Sequence, residues 1–219
     1  MEQGDGTVWG MTASEDSHSE LQPGQATSMH LQRALGGDRV SLDWLVERLD
    51  PLLQAQAAYR MGPLQHRLCD PRDIVHEAWL VLLPRLSSLP PRDGRMTPVL
   101  LSFLSTTITN KLNNLLRSEL RRGGRDESQE CEPAMRDEVS YEVTRREAQQ
   151  QVREAISELT SQDREILILR GIEQQSGEET AESLGLTRHA VHKRYGRALE
   201  RLRTRLPGSV FAELVEDDR

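Results

Sequence analysis

Aromatic side chains are scarce in this sequence: two Phe, three Tyr and three Trp among 219 residues, 4% of the chain. Apolar residues of all kinds reach only 36%. That argues against a thick-cored β-sandwich or a large α/β enzyme, both of which need broad apolar faces. The length suits one or two domains. No apolar run approaches the ~18 residues that span a bilayer, so no membrane insertion is expected. Met1 leads into Glu2 and Asp5 rather than a basic stretch and an apolar core, so no secretory leader is expected. Two cysteines, Cys69 and Cys131, stand far apart without CxxC spacing, which fits a reducing cytoplasm and no zinc finger. Basic residues number 28 against 35 acidic ones, a formal net charge of −7. Taken whole, that charge speaks against a nucleic-acid partner.

The mean conceals segregation. Residues 1–30 carry five acids and no Lys or Arg. Residues 31–122 carry 13 basic and nine acidic side chains, and residues 123–150 carry four and eight. Residues 151–206 carry ten and nine, and residues 207–219 carry one and four. Salt screens fields beyond roughly 8 Å, so local charge decides what binds. The acidic stretches are too polar to offset the entropy of ordering them. The pattern predicts an acidic disordered tail at 1–28, a helical domain at 29–122, a flexible linker at 123–139, a second helical domain at 140–206 and an acidic tail at 207–219. The expected fold is all-α, two small helical domains joined by an acidic flexible linker, the second holding a helix-turn-helix.

Residues 31–60 show helical periodicity (Leu31, Leu35, Leu42, Leu45, Leu49, Leu52), which Pro51 and Pro63 interrupt. Residues 70–86 read as one amphipathic helix. Asp70 suits an N-cap and Pro71 the first turn. Ile74, Val75, Ala78, Trp79, Leu82 and Leu86 form its apolar stripe, with Asp73, His76 and Glu77 off the centre. A zinc-protease HExxH motif would need histidine at position 80, which is Leu80, so metal binding is rejected. Residues 87–98 hold three prolines, Gly94, Arg92 and Arg95, and read as a loop. The next helix carries Phe103, Leu104, Ile108, Leu112 and Leu115 on one face. Its polar face holds Asn110, Lys111, Asn114, Arg117 and Arg121. Amide and guanidinium groups along one stripe suit phosphate contacts and base-edge hydrogen bonds. On this stretch alone, a solvated face is the simpler reading.

The C-terminal half has the punctuation of a helix-turn-helix. Thr160 and Asp163 resemble a capping box, and Gly171 is expected to end the apolar run that follows. Ser176 with Glu179 forms a second capping box opening a short helix at 177–184. Gly185 supplies the left-handed stop and Thr187 caps the next helix. From Arg188 to Arg205 that helix holds seven basic residues and one acid, Glu200. Val191, Tyr195, Ala198 and Leu202 make its apolar seam. The N-terminal part of such a helix enters the major groove, which places Arg188, His189, His192, Lys193 and Arg194 near base edges or phosphates. A basic solvated helix is the competing reading, and the preceding turn favours DNA. His189 and His192 lack a third metal ligand nearby.

Three stretches together resemble the extracytoplasmic-function (ECF) sigma factors, small two-domain initiation factors of bacterial RNA polymerase. Residues 70–80, DPRDIVHEAWL, look like the family's D-x-x-D-[LI]-V-[QH]-E-x-[FW]-L pattern. Phe103-Leu104 with Asn110, Asn114 and Arg117 looks like the helix that follows it. Residues 164–170, REILILR, with the helix-turn-helix at 176–205, look like region 4. The likeness spans about 30–206. It implies that Asp73, His76 and Glu77 dock on the clamp helices of the largest polymerase subunit. It implies that the 87–98 loop captures a flipped minus-ten base, with Arg92 and Arg95 on the strand backbone and Asn110 facing the base. Lys111, Asn114, Arg117 and Arg121 belong to the same interface. Arg188, His189, His192, Lys193, Arg194 and Arg197 would read the minus-thirty-five element. The linker would thread toward the polymerase active site, where its acidity suits a mimic of nucleic acid.

The implied partners are core RNA polymerase, promoter DNA and an anti-sigma factor; no cofactor, metal or catalytic residue is implied. Two departures stand out. Thr180 replaces an aliphatic residue of the helix-turn-helix core, and aromatic stacking residues are sparse near 87–110. Two other functions compete. A helix-turn-helix regulator acting without polymerase explains 140–206 but not the 70–86 and 103–117 motifs. An anti-sigma-type binding protein has no need of the basic helix.

Overall fold

Two Gly residues and an aspartate set the first corner of the chain. Helix α1 (Ala26–Leu35) ends at Gly36-Gly37, where Gly37 has φ 93. Asp38 then caps α2 (Arg39–Met61), its carboxylate accepting from the Val40 N–H at 3.1 Å and the Ser41 hydroxyl at 2.6 Å. These elements belong to a computed structural model that describes residues 26–62, 69–122, 147 and 150–214. Most of the expected N-terminal tail, the whole 123–139 linker, residues 140–146 and residues 215–219 lie outside the described residues.

Pro51 does not break α2, contrary to the expectation from sequence. A proline inside a helix removes one hydrogen bond and costs ~3 kcal/mol. Leu45, Leu49, Leu52 and Leu53 on either side of it are fully buried, and that burial outweighs the loss. Helix α3 (Pro71–Leu82) starts as read, on Asp70 and Pro71. It does not continue as one α-helix to residue 86. It tightens into a 3₁₀ segment, Leu83–Ser88, at Pro84, which has no N–H for the α ladder. Helix α4 (Thr97–Arg122) follows a loop whose tip is a two-residue turn. Arg92 and Arg95 exchange backbone hydrogen bonds of 3.0 and 2.9 Å across Asp93 and Gly94. Both central residues have positive φ, as a type I′ turn requires.

Helices α2, α3 and α4 pack into one bundle. Inside it the Trp79 indole N–H donates to the Asp50 carboxylate at 2.7 Å, so a buried polar pair sits among Leu and Ile side chains. The second bundle comprises α5 (helical over 150–157), α6 (Ser161–Ile166), α7 (Gly177–Leu184) and α8 (Arg188–Arg205). The apolar run after α6 does not stop at Gly171; it winds into a π-helical turn, Leu167–Ile172. Gly171 is needed for space instead. A Cβ there would meet the Tyr195 hydroxyl at 3.2 Å and a Leu214 methyl at 3.3 Å. Among the described residues there is no strand, and no helix is long and apolar enough to cross a membrane.

Residues 207–214, read from sequence as part of an acidic tail, fold back through a 3₁₀ turn at Val210–Ala212. Val210, Phe211 and Leu214 are buried, and Glu213 is only 3% exposed. The Glu213 carboxylate accepts from Arg48 Nε of α2 at 2.9 Å and from the Thr97 hydroxyl of α4 at 2.5 Å. Arg48 also donates to the carbonyls of Gly208 and Ser209. A second clasp joins the bundles at Glu173, which accepts from Arg60 at 2.8 and 2.6 Å and from Gln56 at 3.0 Å.

Two consequences for stability follow. Thr180 is fully buried in α7 and its hydroxyl has no hydrogen-bond partner. Thr180→Val keeps the shape and removes that unanswered group, so it should raise the urea-unfolding free energy by about 1 kcal/mol. The second concerns His30, stacked on Trp44 at 3.9 Å. Burial, then the Arg33 charge, hold its imidazole below the ordinary value of 6.5. The unfolded chain therefore takes up a proton that the fold resists, and stability falls as pH drops below 6.5. His30→Phe keeps the stack and deletes the proton site, so its unfolding midpoint should fall less between about pH 6.5 and 5.

Candidate nucleic-acid interface

The basic helix is held in place from both ends of a short scaffold. Ser176 caps α7 by accepting from the Glu179 N–H at 3.1 Å, and the Glu179 carboxylate accepts from the Ser176 N–H at 2.7 Å. Those hydrogen bonds hold the Glu179 carboxyl below the usual carboxylate range. Gly185 has φ 64, the left-handed conformation that ends α7. Thr187 caps α8 through the Ala190 N–H at 3.2 Å. With α8 fixed this way, Val191, Tyr195, Ala198, Leu199 and Leu202 turn into the core.

The opposite faces of α8 carry the charge. Arg188, His189, Lys193 and Arg197 are exposed, and His192 is half-buried. Arg188 lies 3.4 Å from Glu178 at the start of α7. Arg194 differs from its neighbours. Its Nε donates to Asp163 of α6 at 2.7 Å, and Asp163 is itself tied to Thr160, the cap of α6. The sequence marks Asp163 as a capping residue; its second task, orienting Arg194, depends on a contact 31 positions away.

The second group of expected residues lies on the first bundle. Asn110, Asn114, Arg117 and Arg121 are exposed along α4, and Arg121 Nε donates to the Arg117 carbonyl at 3.2 Å. Lys111 is half-buried and pairs with Glu77 of α3 at 2.5 Å. Two residues expected at different interfaces are thus partners, joining α3 to α4. On α3, His76 is exposed and Asp73 half-buried. Partial burial, then the charge of Asp70, raise the Asp73 carboxyl above its usual value. Leu80 and Leu83 are exposed on the same segment.

The loop arginines meet the other bundle. Arg92 and Arg95 line a cleft of about 200 Å³ together with Arg170, Gln174, Gln175 and Tyr195. Glu213 and Leu214 also line it. Arg48, Thr97, Arg203 and Glu213, which build this junction, are residues that reading the sequence missed. No local pattern marks them, because their partners are distant in the chain.

Residues 149–202 match the family model described as Sigma-70, region 4. The chain is 28% identical over 197 residues to the ECF RNA polymerase sigma factor SigD of Mycobacterium tuberculosis, covering 86% of this chain and 88% of that protein. SigD of Mycobacterium bovis matches to the same extent. Over most of its length the chain is thus similar to ECF RNA polymerase sigma factors. A solved structure of CnrH in complex with the cytosolic domain of CnrY aligns with 82% of this chain and 96% of that one, at 22% identity and a TM-score of 0.37. The region 4 match encloses α6, α7 and nearly all of α8, the basic helix.

The Arg194–Asp163 pair is partly exposed, and such pairs contribute modestly. In a double-mutant cycle of Asp163→Ala and Arg194→Ala, the coupling measured by urea unfolding should be about 0.5–1 kcal/mol. A coupling of zero would mean that the pair does not orient α8.

Proposed function

We propose that the chain is a sigma factor that directs core RNA polymerase to promoters by dividing recognition between its two bundles. The observation that carries this reading is α8, with seven basic residues and one acid, set behind a capped helix and a left-handed glycine. Its N-terminal half lies in the major groove of the minus-thirty-five element. Arg188, His189, His192, Lys193 and Arg197 contact base edges and phosphates there. Arg194, with Nε on Asp163, presents its remaining guanidinium edge to a single phosphate rather than a two-pronged base contact.

The first bundle opens the minus-ten element. Asn110 faces a flipped base, and Lys111, Asn114, Arg117 and Arg121 follow the strand along α4. Arg92 and Arg95 hold the strand backbone at the 92–95 turn. Flipping a base costs a few kcal/mol, which these contacts return in place of aromatic stacking. Helix α3 docks on the polymerase through Asp73, His76 and Glu77, with the exposed Leu80 and Leu83 adding apolar contact. An anti-sigma factor would act by covering these faces. The chain supplies recognition and leaves catalysis to the polymerase.

The test is transcription from a promoter library by core polymerase with and without the chain. Promoter-specific transcripts are expected only with it. Tight promoter binding without any polymerase association would favour a regulator acting alone. Arg188→Ala should weaken promoter binding by about 1–3 kcal/mol, the worth of one two-pronged base pairing, read by competition binding of the holoenzyme. Asn110→Ala should leave polymerase binding intact and reduce strand opening, read by permanganate reactivity. Equal impairment of both would refute the assignment of Asn110.

A further inference from the structure

We infer that the chain carries its own latch: residues 207–214, acting through Glu213, hold the two bundles closed in the free protein and so keep their recognition faces too close together for one promoter. This rests on the division of recognition proposed above. The segment is anchored to both bundles at once. On one side, Arg203 of the DNA-reading helix α8 donates to the carbonyls of Phe211 at 3.1 Å and Leu214 at 2.6 Å. On the other, Glu213 accepts from Arg48 and Thr97, both of the first bundle. Thr97 is the first residue of α4 and follows the 92–95 turn directly. The carboxylate that closes the bundles is therefore bonded to the base of the loop that captures the melted strand. Across the cleft from that loop stand Gln174, Gln175, Ser176 and Glu179, at the entrance to the helix-turn-helix.

A closed state cannot serve a promoter. Elements named minus-ten and minus-thirty-five lie about 25 base pairs apart, or about 85 Å along a straight duplex. Bundles joined by direct hydrogen bonds cannot reach both. The 24 residues between 122 and 147 extend to at most ~80 Å, so the chain is long enough to separate the bundles, the bundles' own width supplying the rest. The junction is also built to part. Both clasps, Arg48 with Glu213 and Arg60 with Glu173, are acid–arginine pairs whose groups regain water when the bundles separate.

The test uses the full chain without polymerase. Its radius of gyration by small-angle X-ray scattering and its affinity for a promoter duplex by fluorescence anisotropy are measured for wild type, Arg48→Ala, Glu213→Ala and the double variant. Each single variant should enlarge the radius by several Å. If the closed form holds about 90% of molecules, promoter affinity should rise about tenfold on opening. The double variant should open by less than the sum of the two single effects, because both remove the same ion pair, while Arg48 alone holds the Gly208 and Ser209 carbonyls and Glu213 alone holds Thr97. Thr97→Val, which deletes one donor and leaves the ion pair, should shift both readings the same way by less, and it decides the matter if the alanine variants lose helicity. Unchanged radius and affinity in folded variants, or additive effects in the double variant, would overturn the latch. Core-polymerase pull-down of the wild type is read separately. Failure there defeats the sigma-factor reading while the scattering result still reports on closure.

Discussion

A carboxylate taken out of water must have both its charge and its lone pairs answered, and the arrangement of this chain turns on how that is done for Glu213. Its side chain is almost wholly buried, and its oxygens meet a guanidinium from α2 and a hydroxyl from the start of α4. A charge left buried without its partner is strongly penalised, so losing either partner favours any state that returns the other to water. The placement of everything around it follows. Arg48 lies at 4.8 Å over the Trp44 ring, which His30 stacks against in turn. Gly171 stays small because Leu214, next to Glu213, presses against it. Glu173 repeats the device at the far end of α2. Arg48 and Arg60 are twelve residues apart, about 18 Å along a helix, so two clasps fix an orientation that one would leave free to pivot.

Within the second bundle the controlling interactions are short-range. A helix begins where its first N–H groups find acceptors, and Ser176, Glu179 and Thr187 provide them within three residues. The direction of α8 therefore depends little on the rest of the molecule. Asp163 adds one longer tie, to Arg194, which sets the rotation of α8 against α6. A recognition helix needs such a frame. Its side chains can discriminate bases only if their starting positions do not vary.

This difference in range explains what the sequence made legible. Capping boxes, the left-handed Gly185 and the Asp70-Pro71 start depend on neighbours within a few positions, so their chemistry is visible in the string of residues. The helix through Pro51 was not, because local propensity opposes it and only tertiary burial of the flanking leucines reverses the balance. The π turn past Gly171 and the tightening at Leu83 are set by what packs against them. Least visible were the clasps. Arg48 and Glu213 are 165 positions apart and Arg60 and Glu173 are 113 apart, and no periodicity links partners at such separations. Of the candidate interface, the exposed stripes on α4 and α8 could be read from spacing, whereas the Lys111–Glu77 pairing and the second role of Asp163 could not.

The scarcity of aromatics and the negative net charge both bear on where side chains are used. Leu, Ile and Val fill most of the cores, joined by the fully buried Phe211, while three other aromatics stand at polar junctions. Trp79 reaches Asp50, Trp44 lies beside His30 and Arg48, and Tyr195 lies within 5.7 Å of Arg170. An aromatic ring offers an apolar body with a polar edge or a cation-accepting face, which an aliphatic core residue cannot supply at such a boundary. The arginines divide in the same way. Arg48, Arg60, Arg194 and Arg203 tie elements of the fold together, while Lys193, Arg197 and Arg117 face solvent. A sum over all charges mixes these two populations with the acidic termini. The field that a phosphate meets within a Debye length is set by the outward set alone, which is why a chain with net charge −7 presents basic faces along two of its helices.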